Sequence, residues 1–296
     1  CLTCIYNKTT TMKLVYSIFL LLFFSLNCLG QNMKEGFTYL ETGKYQQAEV
    51  FFKDILKEYP TNKTARLCYG RAIGLNGKAT EAVTLFTNLL ADYPSDFEVK
   101  LNYAESLLWS KNYPDAKVYY QTLLKENDKS FAALLGYANT LSNLKEFEDA
   151  LLNVDKALAV LPGNPNALVS KKYMRLGLAN KKVSNQEYDE AEVILKENFK
   201  SFENDKETLL NLANLYLISN QTEKAKSTYE IIGKITGNEL TALNGISLSY
   251  HLDGDDKTAL KISNKAAESI NSNTSKTLKN QTIERNIQAL IWNKKY

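Results

Sequence analysis

Alanine recurs along this chain at Ala48, Ala82, Ala116, Ala150, Ala191, Ala225 and Ala259, at intervals of 34, 34, 34, 41, 34 and 34 residues. A period held over most of the chain means that one small structural unit is copied and that neighbouring copies bury each other's apolar faces. A second series runs four residues later, through Phe52, Phe86, Tyr120, Val154, Leu195 and Tyr229, and fails only at Ser263. Three residues before the alanines stand Tyr45, Tyr113, Phe147 and Tyr188, and Pro60, Pro94 and Pro162 follow the same segments. In the preceding segment a small residue recurs at Gly36, Gly70, Ala104, Ala138, Ala179, Ala213 and Ser247.

The copy at Phe131–Asn164 shows what the unit is. Leu134, Tyr137, Ala138 and Leu141 follow the i, i+3, i+4, i+7 spacing of one helical stripe, and Ala150, Leu151, Val154, Ala157 and Leu158 repeat it after Phe147. Pro162 lacks the amide proton that would continue the second helix, and Gly163 and Asn164 suit the turn after it. Two short amphipathic helices cannot bury their stripes alone. An alanine at the crossing lets the backbones approach, and the ring four residues on fills the space beside it.

This pattern resembles the tetratricopeptide repeat family, whose unit is a 34-residue helix–turn–helix. Gly36, Tyr39, Gly43, Tyr45, Ala48, Phe52 and Pro60 match it nearly throughout the first repeat, whereas Gly237 and Asn271 replace the closing proline in the last two. Asp256 there also stands in place of the opening aromatic residue. The resemblance covers about residues 31–273 as seven repeats. It implies an all-α fold, a right-handed superhelical solenoid in which each repeat's first helix lines a concave groove.

The interval of 41 adds seven residues, close to two helical turns, so a first helix lengthened by seven keeps its stripe in register. The extension is placed in Asn166–Lys172, giving a long helix from about Pro165 to Val183, with an extended loop around Lys181–Glu187 as the alternative. Residues 274–296 are not a full repeat. Leu278, Ile283, Ile287, Leu290 and Ile291 form one apolar stripe, which predicts a C-terminal capping helix with a wet outer face. Trp292, just beyond, is expected to pack.

Met12-Lys13 opens an almost wholly apolar run from Leu14 to Leu26, followed by Asn27-Cys28-Leu29-Gly30. A cationic start, a short apolar core and a small residue before the break predict a secretory signal peptide over 12–30, cleaved after Gly30. The run is too short to span a bilayer comfortably. Residues 1–11 are read as upstream sequence. The expected location is therefore periplasmic or secreted; the alternative makes Cys28 a lipidated residue and the protein an outer-membrane-anchored lipoprotein, the one way it would engage a membrane. With Cys1, Cys4 and Cys28 in segments expected to be removed, only Cys68 of the four cysteines remains, so the domain is held by packing without a disulfide. Cys68 itself reads as a small buried hydrophobe.

Little in the chain points to catalysis. Net charge is +3 and no basic stripe stands out, which argues against nucleic acid as a partner. There is one histidine, His251, so multi-histidine metal sites are excluded and acid–base chemistry has few candidates. Its place near the end of a first helix reads as surface or groove lining. The glycines of GRAIGLNG fall on the small-residue slot and the interhelix turn with no preceding strand, so they are not a phosphate loop. Asp253, Asp255 and Asp256 are too closely set for an EF-hand. No cofactor, metal site or catalytic residue is expected.

The groove is where function is expected. Repeat-spaced positions on the first helices are Phe37, Arg71, Glu105, Asn139, Asn180, Asn214 and Leu248. An asparagine amide both donates and accepts, so a series of them can pair with a peptide backbone without reading its side chains; they can equally be solvated or pair with each other. Trp109, one turn beyond Glu105, suits an interface anchor or a sugar-stacking platform, with packing into the next repeat as the alternative. Leu135, Leu176 and Leu210 stand where the family's carboxylate clamp has lysine, so that clamp is absent. The expected function is a non-catalytic interaction scaffold binding an extended peptide through Arg71, Glu105, Trp109, Asn139, Asn180 and Asn214. The alternative is a periplasmic arm of a polysaccharide-export or outer-membrane assembly system, suggested by YAESLLWSKNYPDA at 103–116.

Overall fold

A computed structural model describes residues 33–294 of the chain. The expected leader, its cleavage point and Cys28 lie outside the described residues. Among those described there are helices and turns and no strand. Helix α1 spans 33–41, and fourteen more follow in order. They are α2 (Tyr45–Glu58), α3 (Lys63–Leu75), α4 (Ala79–Asp92), α5 (Phe97–Trp109), α6 (Tyr113–Glu126), α7 (Phe131–Asn143) and α8 (Phe147–Val160). Then come α9 (Pro165–Ser184), α10 (Tyr188–Ser201), α11 (Lys206–Ile218), α12 (Thr222–Thr236), α13 (Glu239–Leu252), α14 (Asp256–Glu268) and α15 (Lys276–Asn293). The architecture is an all-α solenoid of helix pairs. Two compact units meet at Thr140 and Leu141, within α7.

Turn chemistry sets the rhythm. Gly43, Gly77, Lys111, Lys145, Gln186, Asn220 and Gly254 all adopt positive φ, between 57° and 88°, at the bend from first to second helix. Their spacing repeats that of the alanines. Four of the seven are not glycine, so the fold holds side chains in a left-handed conformation that L-residues disfavour. First helices start on short polar caps: the side chains of Asn62, Asp96, Asn164 and Asp205 each accept from the backbone N–H three residues on. The long interval is resolved here. α9 has 20 residues where α3, α5 and α11 have 13, so the extra seven are helical and no extended loop forms.

Every alanine of the 34-residue series has 0% of its surface exposed. The small residues of the first helices are buried as well. In the N-terminal unit, Phe52 and Phe86 fill the space beside them; each ring lies where a Cβ on Gly36 or Gly70 would fall, at 2.6 and 2.5 Å. Burying such a ring is worth roughly 1.5–3 kcal/mol. Cys68 packs in the same core, and burial pushes its thiol up to about 11, which keeps it inert. Rungs between repeats recur at the surface: Lys63 pairs with the cap Asp96, and Arg66 reaches Asp92 at 2.6 Å. In the C-terminal unit Lys172 meets the cap Asp205 at 2.9 Å, the same pairing as Lys63 with Asp96.

Within each unit first helices touch first helices: α3 meets α5, and α9, α11, α13 and α15 follow one another the same way. Second helices of a unit make no such contacts among the described residues. The first helices therefore form the tighter layer of each unit.

Helix α15 takes the place of one more first helix, but not with the face its sequence suggests. Thr282 and Ala289 are fully buried, with Leu278, Arg285, Asn286 and Trp292 partly so. Of the expected apolar stripe only Leu278 turns inward; Ile283, Ile287, Leu290 and Ile291 are 39–51% exposed, on an outer face they share with Lys279, Glu284 and Gln288. Polar contacts decide the rotation. Asn244 Nδ2 donates to Thr282 Oγ1 at 2.9 Å, and Asn286 Nδ2 donates to Asn264 Oδ1 at 2.7 Å. Trp292 stacks flat on His251, centroids 3.5 Å apart, while His251 Nδ1 lies 2.5 Å from Asp256 Oδ1. The histidine is thus a packing element. Asp253 and Asp255 are engaged too, the first by Thr222 and Lys226 and the second as the cap of α14.

Candidate functional site

In the N-terminal unit the four expected positions have different surroundings. Arg71 on α3 is exposed and Glu105 on α5 is partly buried, with no hydrogen bond or ion pair among the described residues. Burial pushes the Glu105 carboxyl above its ordinary value, opposed by the positive charge of Arg71. Behind it the hydroxyl of Tyr120, fully buried, has no hydrogen-bond partner. Tyr120 presses on Gly136 of α7: a Cβ there would lie 2.4 Å from its Cζ and Oη. Asn139, also on α7, is partly buried between Ala138 and Thr140. Trp109 packs against the preceding repeat rather than the next. Its ring lies where a Gly74 Cβ would fall, 2.3 Å from Cε3, in the core that holds Phe86 and Leu89. A ring pressed to a helix backbone is not an open stacking platform.

In the C-terminal unit Asn180 on α9 is exposed, in a shallow hollow formed with Phe147, Gly177 and Ser184. The hollow exists because Phe147 occupies the space that a side chain at 177 would need. Asn214 on α11, one repeat later, is exposed and its Oδ1 accepts from the Tyr229 hydroxyl at 3.3 Å. That leaves the Asn214 Nδ2 donor facing solvent.

Asn214 opens onto a cleft of about 330 Å³ between α11, α13 and α15. Its floor is the Tyr229 ring laid on Gly245, where a Cβ would fall 2.3 Å from the ring. Asn244 from α13 and Gln281, Arg285 and Gln288 from α15 complete it. Asn244, Arg285 and Tyr229 are residues that sequence reasoning did not single out. One signal was available: Tyr120 and Tyr229 occupy the same repeat position, and each has glycine 16 residues later, at 136 and 245. A tyrosine of this series paired with that glycine marks a ring pushed into the first-helix layer.

The assembled surface is a layer of first helices presenting charged and amide side chains, with no group of three histidine, cysteine, aspartate or glutamate residues set to hold a metal among the described residues. Such a surface defines a helical-repeat binding protein. Family models described as tetratricopeptide repeat match residues 33–62 and 75–136. Among solved structures, a tetratricopeptide repeat protein from Parabacteroides merdae is similar over 86% of this chain and 98% of its own, with 20% identity and a TM-score of 0.51. The apo form of RapI is similar over 90% of this chain and 82% of its own, with 13% identity and a TM-score of 0.65. No curated protein matches the chain in sequence. Residues 33–62 and 75–136 are thus similar to tetratricopeptide repeats, and the chain shares the helical solenoid fold of tetratricopeptide repeat proteins. That fold implies a protein–protein interaction scaffold, with protein or peptide partners.

Proposed function

We propose that this protein is a non-catalytic scaffold that holds an extended segment of a partner protein along its first-helix layer. The observation that carries the proposal is the pair Asn180 and Asn214, exposed at equivalent positions of neighbouring first helices in the C-terminal unit. Packed helices lie roughly 8–10 Å apart, and an extended chain advances about 3.3 Å per residue. One amide per helix therefore meets a peptide backbone about every third residue, and the amide can serve as donor or acceptor to it. In the N-terminal unit Arg71 and Glu105 hold the equivalent positions of α3 and α5.

The test is site-specific photocrosslinking. A crosslinker at 180 or 214 should capture a single extended segment, which mass spectrometry would locate, and one at the exposed second-helix residue Val193 should not. The double change Asn180→Ala, Asn214→Ala should weaken capture at least tenfold. Capture only from Val193, or unaltered capture by the double variant, would retire the groove. Turnover by the pure protein, abolished by one substitution, would retire the non-catalytic part.

We also propose that the protein is exported, on the strength of the cationic and apolar segment at 12–30. Mass spectrometry of the native protein should find its N-terminus at Gln31; a lipid-modified Cys28 or a retained Met12 would contradict it. Nothing favours a polysaccharide-export role, and Trp109, the residue suited to a sugar ring, is engaged with Gly74.

A further inference from the structure

Arg285 is a cation without an anion. It lies on the inward side of α15, partly buried, and no acid is within ion-pair distance of it among the described residues. Its hydrogen-bond partner there is Gln288 of its own helix, with Nη1 donating to Oε1 at 3.0 Å. The Trp292 ring lies 5.7 Å from the guanidinium carbon on one side. A guanidinium has five N–H donors in a planar fork, so most of its capacity is unspent. Burial pulls its pKa below the ordinary value, with no carboxylate to offset the loss of solvation. Glu284, also at the cleft, is exposed and forms no ion pair with it.

The polar atoms around it are similarly incomplete. Asn244 spends its Nδ2 on Thr282, while its Oδ1 is buried and has no partner. Asn214 spends its Oδ1 on Tyr229 and keeps its Nδ2. The cleft therefore holds a planar cationic fork and an amide donor together, beside a buried amide oxygen that is already shut away from solvent.

We propose that this cleft is a receptor for a carboxylate carried by an extended peptide, bound by the Arg285 fork, with Asn214 Nδ2 pairing with an adjoining peptide carbonyl. The proposal rests on the reading of the first-helix layer as a peptide-binding surface and names what one end of it selects. A carboxylate matches the fork with two parallel bonds and a single charge. A phosphate group carries nearly two charges and is recognised by clusters of arginine; one arginine beside Glu284 does not make such a cluster. The carboxylate comes from an internal acidic side chain or from a chain terminus.

The experiment uses the whole mature chain and fluorescein-labelled octapeptide pools, degenerate except for a fixed central residue. Four pools are compared by fluorescence anisotropy: amidated with central Glu, amidated with central Gln, central Gln with a free C-terminal carboxylate, and amidated with central phosphoserine. At least one carboxylate pool should bind tenfold or more tighter than amidated Gln, and which one does identifies the source. Arg285→Gln should erase that preference, and Arg285→Lys should retain part of it. In the unaltered protein, the ¹⁵N resonance of the Arg285 side chain should shift on titration with the preferred pool, a readout that does not depend on a variant folding. Equal binding of the acidic and amidated pools, a preference that survives Arg285→Gln, tightest binding of phosphoserine, or no binding at millimolar peptide would each overturn the proposal. The two readings fail separately. Binding that ignores Arg285 but is lost in Asn180→Ala leaves the groove standing without this receptor; binding that needs Arg285 and is unaltered by Asn180→Ala leaves the receptor without the groove.

Discussion

Tyr120 in the N-terminal unit and Tyr229 in the C-terminal unit hold the same repeat position, and each rests on a glycine of the next first helix, Gly136 and Gly245. The difference lies in the residue 15 positions earlier. At 214 an asparagine accepts the Tyr229 hydroxyl, whereas at 105 a glutamate stands near Tyr120 and accepts nothing from it. One unit thus closes its buried polar group and keeps an amide donor for a partner. The other keeps an unpaired carboxylate and an unsatisfied hydroxyl. Identical backbone positions have been given opposite electrostatic duties, which is how a repeat protein varies its binding surface without altering its packing.

The largest effect that could break this comparison is steric. Gly136→Ala and Gly245→Ala should each destabilise by about 1–3 kcal/mol, because the added methyl meets an aromatic ring that is itself packed. Chemical denaturation would measure it. Alanine is otherwise the better helix former by about 1 kcal/mol, so a stabilised variant would mean that the ring swings away and the glycine–tyrosine fit is loose.

Removing the hydroxyls separates the units next. Tyr229→Phe should lose up to about 1 kcal/mol with its hydrogen bond to Asn214. Tyr120→Phe should be neutral or stabilising, since it deletes a buried group without a partner. Equal losses in both would erase the distinction drawn here.

Glu105 sharpens it through pH. Its folded-state carboxyl titrates above the ordinary range, so its contribution is fully present below the unfolded value and is lost as pH rises through the folded one. Glu105→Gln should therefore raise the melting temperature at neutral pH, with the advantage shrinking as pH falls toward about 4, the ordinary carboxylate range, and gone below it. An advantage that grows in acid would have the wrong sign.

The smallest effect concerns the bends. Lys111→Gly in one unit and Lys145→Gly in the other relieve a left-handed conformation, φ 62° and 63°. Each should stabilise by about 0.5 kcal/mol or less, because glycine's extra freedom in the unfolded chain offsets part of the gain. A gain in only one unit would show that the two bends are held differently.

The fold was legible before the structure because its determinants are local and repeated. Seven alanines at one spacing, a ring four residues on and a small residue in the preceding helix leave one way to pack two helices, and the structure buries all seven alanines completely. The seven additional residues of α9 could also be located, since a helix tolerates nearly two whole turns without rotating its stripe. Spacing alone placed Asn180 and Asn214 on the exposed side of their helices, whereas the direction in which Trp109 packs was hidden because nothing in its own repeat shows that Gly74, 35 positions earlier, leaves room for its ring.

Helix α15 marks the boundary between the two kinds of information. Its sequence determined that it would be a helix with an apolar stripe, because period and propensity are properties of the strand of residues itself. Which stripe faces inward was decided only by tertiary structure. Asn244, Ser263, Asn264 and His251 lie on α13 and α14, and they engage Thr282, Asn286 and Trp292 while the isoleucines face outward. The same rotation brings Arg285 into the cleft. Periodicity records which residues share a face; the partners of that face come from elsewhere in the chain.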